Sequence, residues 1–150
     1  MGSFLWIGVL SLSAGNRRDQ CGTALRFCLA LLKDFTVGEK VLHEFAHQLD
    51  YEDFQTDGAP ALATRAEYVT WARVMSREFA ALQSAGETGT STVLDTYGAT
   101  NPAEFFAVVT EAFFERPRAL RGRHPELYAQ LARFFRQDPS RYSAEATTTP

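Results

Sequence analysis

Hydrophobic residues along the chain recur in blocks whose spacing sets the expected elements. The first block, Phe4-Leu5-Trp6-Ile7-Gly8-Val9-Leu10, is too short for its periodicity to separate strand from helix. Ser13 to Gly22 is polar and reads as a loop. Ala24 to Phe35 is apolar nearly all round, the pattern of a buried helix. Gly38 breaks that pattern, and another helix begins at about residues 37–40. Its positions Val41, Leu42, Phe45, Ala46 and Leu49 fill most of one side, which predicts a central helix with a buried body and one polar face. Tyr51 to Pro60 is a loop with turn chemistry at Asp57-Gly58.

Thr64 and Glu67 form a capping-box pattern ahead of a long amphipathic helix. Tyr68, Trp71, Ala72, Met75, Phe79 and Leu82 share its expected inner face. Gly86 to Ser91 reads as a flexible linker. Asn101-Pro102-Ala103-Glu104 opens the next helix, with Asn as N-cap and Pro at the first position. That helix runs through Phe105, Val108, Val109, Ala112 and Phe113 and stops before Pro117. A last helix, from near Pro125 to Arg136, carries Leu127, Tyr128, Leu131 and Phe134. Residues 143–150 read as a disordered tail.

These elements describe one α+β domain over residues 1–150 that is mainly helical, with any strands confined to the N-terminal third. Twelve Phe residues predict an aromatic core. A formal charge of −3 and the lack of a long basic run argue against nucleic acid as a direct partner. Phe4 to Leu12 is too short to span a bilayer, and no Lys or Arg precedes it as in a secretory signal. Cys21 and Cys28, if on one helix, lie roughly 10 Å apart, beyond disulfide reach. Two free thiols fit a reducing cytoplasm. The expected protein is cytoplasmic and makes no membrane contact.

The candidate chemistry lies in Val41-Leu42-His43-Glu44-Phe45-Ala46-His47-Gln48-Leu49-Asp50. It contains His-Glu-x-x-His, and the chain has only three histidines. Residues four apart on a helix project to one side, so His43 and His47 can present two imidazoles to one metal ion. Glu44 sits on the flank of that face, where a general base would stand. The blander alternative is a pair of core histidines bonded to neighbouring groups. Such a site needs one more protein ligand. His124, beside Pro125 at a helix start, reads as a surface residue. A carboxylate from a second helix remains, and Glu104 and Glu111 lie seven apart on one face of an otherwise apolar helix. Residue type alone leaves both open: Glu104 could equally cap the helix with Asn101, and Glu111 and Glu115 could form a solvated edge.

The decamer at 41–50 resembles the zinc motif of the Mlc titration factor A family. So does Leu94-Asp95-Thr96-Tyr97-Gly98-Ala99-Thr100-Asn101-Pro102-Ala103-Glu104-Phe105-Phe106-Ala107-Val108, followed by Glu111 to Glu115, and the segments Pro125-Glu126-Leu127-Tyr128 and Phe134 to Pro139. The resemblance covers about residues 41–140; residues 1–38 are unmatched and read as a divergent or truncated start. It implies a zinc-dependent peptidase of the gluzincin type, with a zincin-like catalytic core similar to that of anthrax lethal factor. By that resemblance one Zn²⁺ is held by His43, His47 and Glu104. Glu44 is the general base toward a zinc-activated water that attacks a peptide substrate. Tyr97 matches the family's tyrosine before the ligand helix and is placed to donate to the oxyanion. Glu111 is expected behind the ligands, as is Asp50, three residues beyond His47, which could orient an imidazole or simply close the helix. The family is named for sequestering the Mlc repressor, so the resemblance also implies a transcriptional repressor as an alternative partner, and an inactive zinc-binding fragment as a third reading.

Overall fold

A computed structural model describes residues 39–51 and 57–141. The first apolar block, the expected helix at 24–35, both cysteines, any N-terminal strands and the tail beyond 142 lie outside the described residues. Within them the chain is helical, with no strand. The elements are α1 (Glu39–Asp50), α2 (Arg65–Thr88), a 3₁₀ turn (Thr96–Ala99), α3 (Pro102–Glu115), α4 (Pro117–Arg123), α5 (Pro125–Phe135) and a second 3₁₀ turn (Pro139–Arg141).

α3 is the central helix, a place the hydrophobic pattern gave to α1. Phe105 to Thr110, Ala112 and Phe113 are all buried, so α3 is covered on nearly every side. α1 instead buries a narrower stripe, Leu42, Ala46 and Leu49, against it, while Val41 is half exposed. The aromatic core lies beyond α3. Trp71, Phe106 and Phe134 pack edge to face with ring centroids 5.6–6.2 Å apart. Phe113 meets Phe114, Tyr128 and Phe135 at 4.9, 5.0 and 5.5 Å. Phe79 of α2 closes on Phe105 at 5.6 Å.

The caps explain where the helices begin and end. Thr64 and Glu67 make both bonds of the capping box at the start of α2. The inner face of α2 is Trp71, Val74, Met75 and Leu82, rotated from the expected one so that Ala72 is exposed. α2 also runs on through Gly86, the expected linker, to Thr88. A lone glycine costs a helix only about 1 kcal/mol, and the left-handed cap comes at Gly89 (φ 66°), where the Gly89 and Thr90 N–H groups both donate to the Ala85 carbonyl. The buried residue near the end of α5 is Phe135, with Phe134 half-buried beside it.

Two glycines seat the connections. Gly98, buried in the first 3₁₀ turn, is tightly enclosed: a Cβ there would stand 3.1 Å from Val108 and 3.2 Å from Leu82. The turn can therefore lie flat on α3 and α2. Gly58, at φ +76°, lies against the first turn of α3.

His124 is largely buried rather than on the surface. Its Nδ1 lies 2.8 Å from Glu78 Oε2, joining the start of α5 to the middle of α2. Burial pushes the Glu78 carboxyl up, but the hydrogen bonds from Arg77 and His124 outweigh it and hold the group below its usual value.

Two outcomes follow from this packing. Phe113→Ala removes a ring that three others contact and should cost about 3–5 kcal/mol in a urea melt; a loss below 1 kcal/mol would contradict the core described. A carboxyl with a lowered folded value contributes stability that is in place above its unfolded value, about 4.3, and is lost as the pH falls through the folded value. Glu78→Gln should therefore flatten the acid limb of melting temperature against pH below about pH 4.

Candidate metal centre

α1 and α3 pack side by side, and their polar edges meet. From α1, His43 and His47 project from adjacent turns with ring centroids 4.8 Å apart. From α3 come Glu104 and Glu111. Seven residues raise a helix by about 10.5 Å, so two carboxylates on one edge can bracket a ring inserted between them. That is the arrangement found. His43 Nε2 lies 2.9 Å from Glu104 Oε2, and its Nδ1 lies 3.1 Å from Glu111 Oε1. His47 Nε2 lies 3.5 Å from the same Glu104 oxygen.

The helix N-terminus fixes where Glu104 stands. Asn101 is the N-cap, and its side-chain oxygen accepts from the Glu104 N–H at 2.9 Å. In a reciprocal capping box the Glu104 carboxylate would turn back to the N-cap. Here it turns to the histidines, while its backbone N–H still takes part in the cap.

A neutral imidazole has one N–H to give. His43 can give it to Glu111 from Nδ1 or to Glu104 from Nε2; in the tautomer protonated at Nδ1, the Nε2 lone pair faces the Glu104 oxygen. Two electron-rich atoms at 2.9 Å repel unless a proton or a cation lies with them. The donor set fits a metal of the zinc class, two imidazole nitrogens and a carboxylate oxygen. Bonds of 2.0–2.1 Å in a tetrahedron put ligand atoms roughly 3.3 Å apart, and the observed 2.9 and 3.5 Å straddle that separation. His43, His47 and Glu104 are also the group among the described residues whose ligand atoms all lie within 4.8 Å of one another.

The remaining candidates surround this cluster unequally. Glu44, next to His43, is exposed on the flank of α1. Tyr97 sits in the 3₁₀ turn, which Asp95 caps by accepting from the Tyr97 N–H at 2.8 Å. Its ring centre is 6.1 Å from that of His43, its side chain is 56% exposed, and no described group bonds its hydroxyl. The position of Tyr97 depends on Gly98, which sequence reasoning did not single out; a small residue between a tyrosine and two helix contacts was the available signal. Asp50 is wholly buried at the end of α1. The Glu111 carboxylate lies 3.1 Å from the His43 ring at Nδ1.

The sequence has relatives among known proteins. A family model for the glucose-regulated metallo-peptidase M90 group matches residues 33–136. Slr2042 of Synechocystis, an uncharacterized protein, is 46% identical over 99 residues, covering 66% of this chain and 36% of its own length. Mlc titration factor A of Yersinia pestis and that of Yersinia pseudotuberculosis are each 39% identical over 104 residues, covering 66% of this chain and 37% of theirs. The chain thus spans little more than a third of the length of these relatives.

Glu111→Gln should weaken divalent-metal binding by about ten- to a hundredfold, as loss of a partner behind a ligand does, and Glu104→Ala by more. Competition with a chromogenic chelator measures both; equal affinity in parent and Glu104→Ala would remove Glu104 from the centre. The match over residues 33–136 leads to one assignment: the chain belongs to the glucose-regulated metallo-peptidase M90 family, and proteins named Mlc titration factor A are among its relatives.

Proposed function

We propose that this chain carries the zincin-like catalytic centre of a zinc metallopeptidase that hydrolyses peptide bonds. The observation that supports this most is the His43 ring, held at Nδ1 by Glu111 and turned at Nε2 toward Glu104 and His47. His43, His47 and Glu104 would hold the ion. One Zn²⁺ bound there supplies Lewis acidity, polarising the scissile carbonyl and making a water easier to deprotonate.

The protein's own groups do the rest. Glu44 is one residue from His43 and solvent-facing. It takes the proton from the attacking water and delivers it to the departing amine, so one carboxylate serves as base and then acid. The Tyr97 hydroxyl, unengaged by any described group, donates to the carbonyl oxygen as negative charge builds on it. Glu111 keeps the His43 proton at Nδ1 and so the lone pair at Nε2. The two thiols in the sequence suit the reducing cytoplasm as the place where this happens, and no helix among the described residues is long and apolar enough to cross a membrane.

The name Mlc titration factor A, borne by relatives at 39% identity, supports a second reading: binding of the Mlc repressor, independent of peptide cleavage. The two separate in a pull-down with Mlc. A His43→Ala protein that has lost its metal but still captures Mlc carries a binding role apart from hydrolysis.

For the peptidase reading, Glu44→Gln should lower kcat on short peptides by at least about a hundredfold while zinc stays bound, the usual scale for loss of a general base. Equal turnover by parent and variant, both zinc-loaded, would defeat the assignment. Tyr97→Phe should cost about 10²–10³ in kcat, as removal of an oxyanion donor does, with little change in zinc content.

A further inference from the structure

We propose that Gly58 and Trp71 form a clip that sets the position of Glu104, and through it how tightly the metal centre holds its ion. The inference rests on the reading of His43, His47 and Glu104 as ligands. Neither clip residue touches those side chains.

The clip starts from the backbone of Gly58. At φ +76° it occupies the left-handed region, where a side chain is strained. Its second constraint is closeness. A Cβ at this position would fall 2.4 Å from the Pro102 carbonyl oxygen, 2.8 Å from its carbonyl carbon and 3.3 Å from the proline Cβ. The chain at residue 58 is pressed directly onto the first turn of α3. Pro102 has a fixed φ and stands two residues before Glu104. Any outward shift of Pro102 therefore carries the Glu104 backbone with it.

Trp71 holds the other end. Its indole Nε1–H donates to the Gly58 carbonyl at 3.0 Å in a buried bond. The ring is wedged between Phe106 and Phe134, with centroids 5.8 and 5.6 Å away. Phe106 belongs to α3 as well, one turn beyond Pro102. The loop is thus tied both to the ligand helix and to the core beneath it. Asp57 adds a local turn, accepting from the Ala59 N–H at 3.1 Å, and Pro60 is fully buried behind it. Ligand side chains must be held to within about 0.5 Å of productive geometry, and a loop lying against the N-terminal turn of α3 is placed to do that for Glu104.

The two constraints on Gly58 can be separated. Gly58→Asn keeps a residue that tolerates the left-handed region but adds the colliding Cβ. Gly89→Ala is the reverse control: φ is +66°, yet a Cβ there meets nothing within 4 Å. Trp71→Phe keeps an aromatic ring in the cluster and removes only the N–H donor and part of the ring area. Zinc affinity of the full 150-residue chain is measured by competition with a chromogenic chelator, beside urea unfolding of the metal-free proteins.

The expected result is a loss of zinc affinity of about tenfold or more in Gly58→Asn and Trp71→Phe, larger than any change in Gly89→Ala at comparable loss of stability. If Gly58→Asn does not fold, Trp71→Phe decides. Parent-like affinity in the folded clip variants overturns the proposal and leaves the metal reading standing. A parent that binds zinc no better than Glu104→Ala overturns the metal reading and the clip together.

Discussion

An imidazole bracketed by two carboxylates of a neighbouring helix is the constraint from which the rest of this structure follows. His43 meets Glu111 with one nitrogen and Glu104 with the other. That contact sets the distance, rotation and axial register of α1 against α3. The apolar stripe of α1 then falls on α3, and His47 falls on the same Glu104 oxygen. An acidic residue on a helix otherwise buried all round needs such partners, since an unpaired buried carboxylate is costly. The charge requirement and the packing requirement are met by the same side chains.

Much of this was written in spacing. His-Glu-x-x-His places two imidazoles and a carboxylate on one helix. Glu104 and Glu111, seven apart, announce one edge of another, and Asn101-Pro102 gives the start of that helix to the residue. The capping box at Thr64 was equally legible. What spacing could not supply was which helix lies at the centre. α1 and α3 both show broad apolar faces, and only contacts reveal that α3 is covered on nearly every side. Gly86 looked like a break because glycine usually is one, but the flanking turns of α2 carry it. The pairing of His124 with Glu78 joins residues 46 apart, a distance at which a sequence pattern has nothing to report. Gly58 was read as a turn residue, correctly, but its closeness to Pro102 is a fact of tertiary structure.

The family assignment and the site support each other at different scales. The match over residues 33–136 begins just ahead of the motif helix and ends at the cap of α5. It therefore encloses every group assigned to the centre, from His43 to Glu111. The aromatic core lies on the far side of α3 and meets the centre through that helix and the Gly58 loop.

The bond between His43 and Glu111 also spans 68 positions of chain, with the whole of α2 in between. Closing a loop of that length costs on the order of 4 kcal/mol of chain entropy, while among the described residues α1 buries only Leu42, Ala46 and Leu49 of its apolar side chains. The helices from 65 onward can form their core among themselves. α1 must come back to them, and the polar cluster is where it arrives. An ion held by His43, His47 and Glu104 would tie the two ends of that loop together, a covalent-like staple where α1 has little apolar surface to hold it.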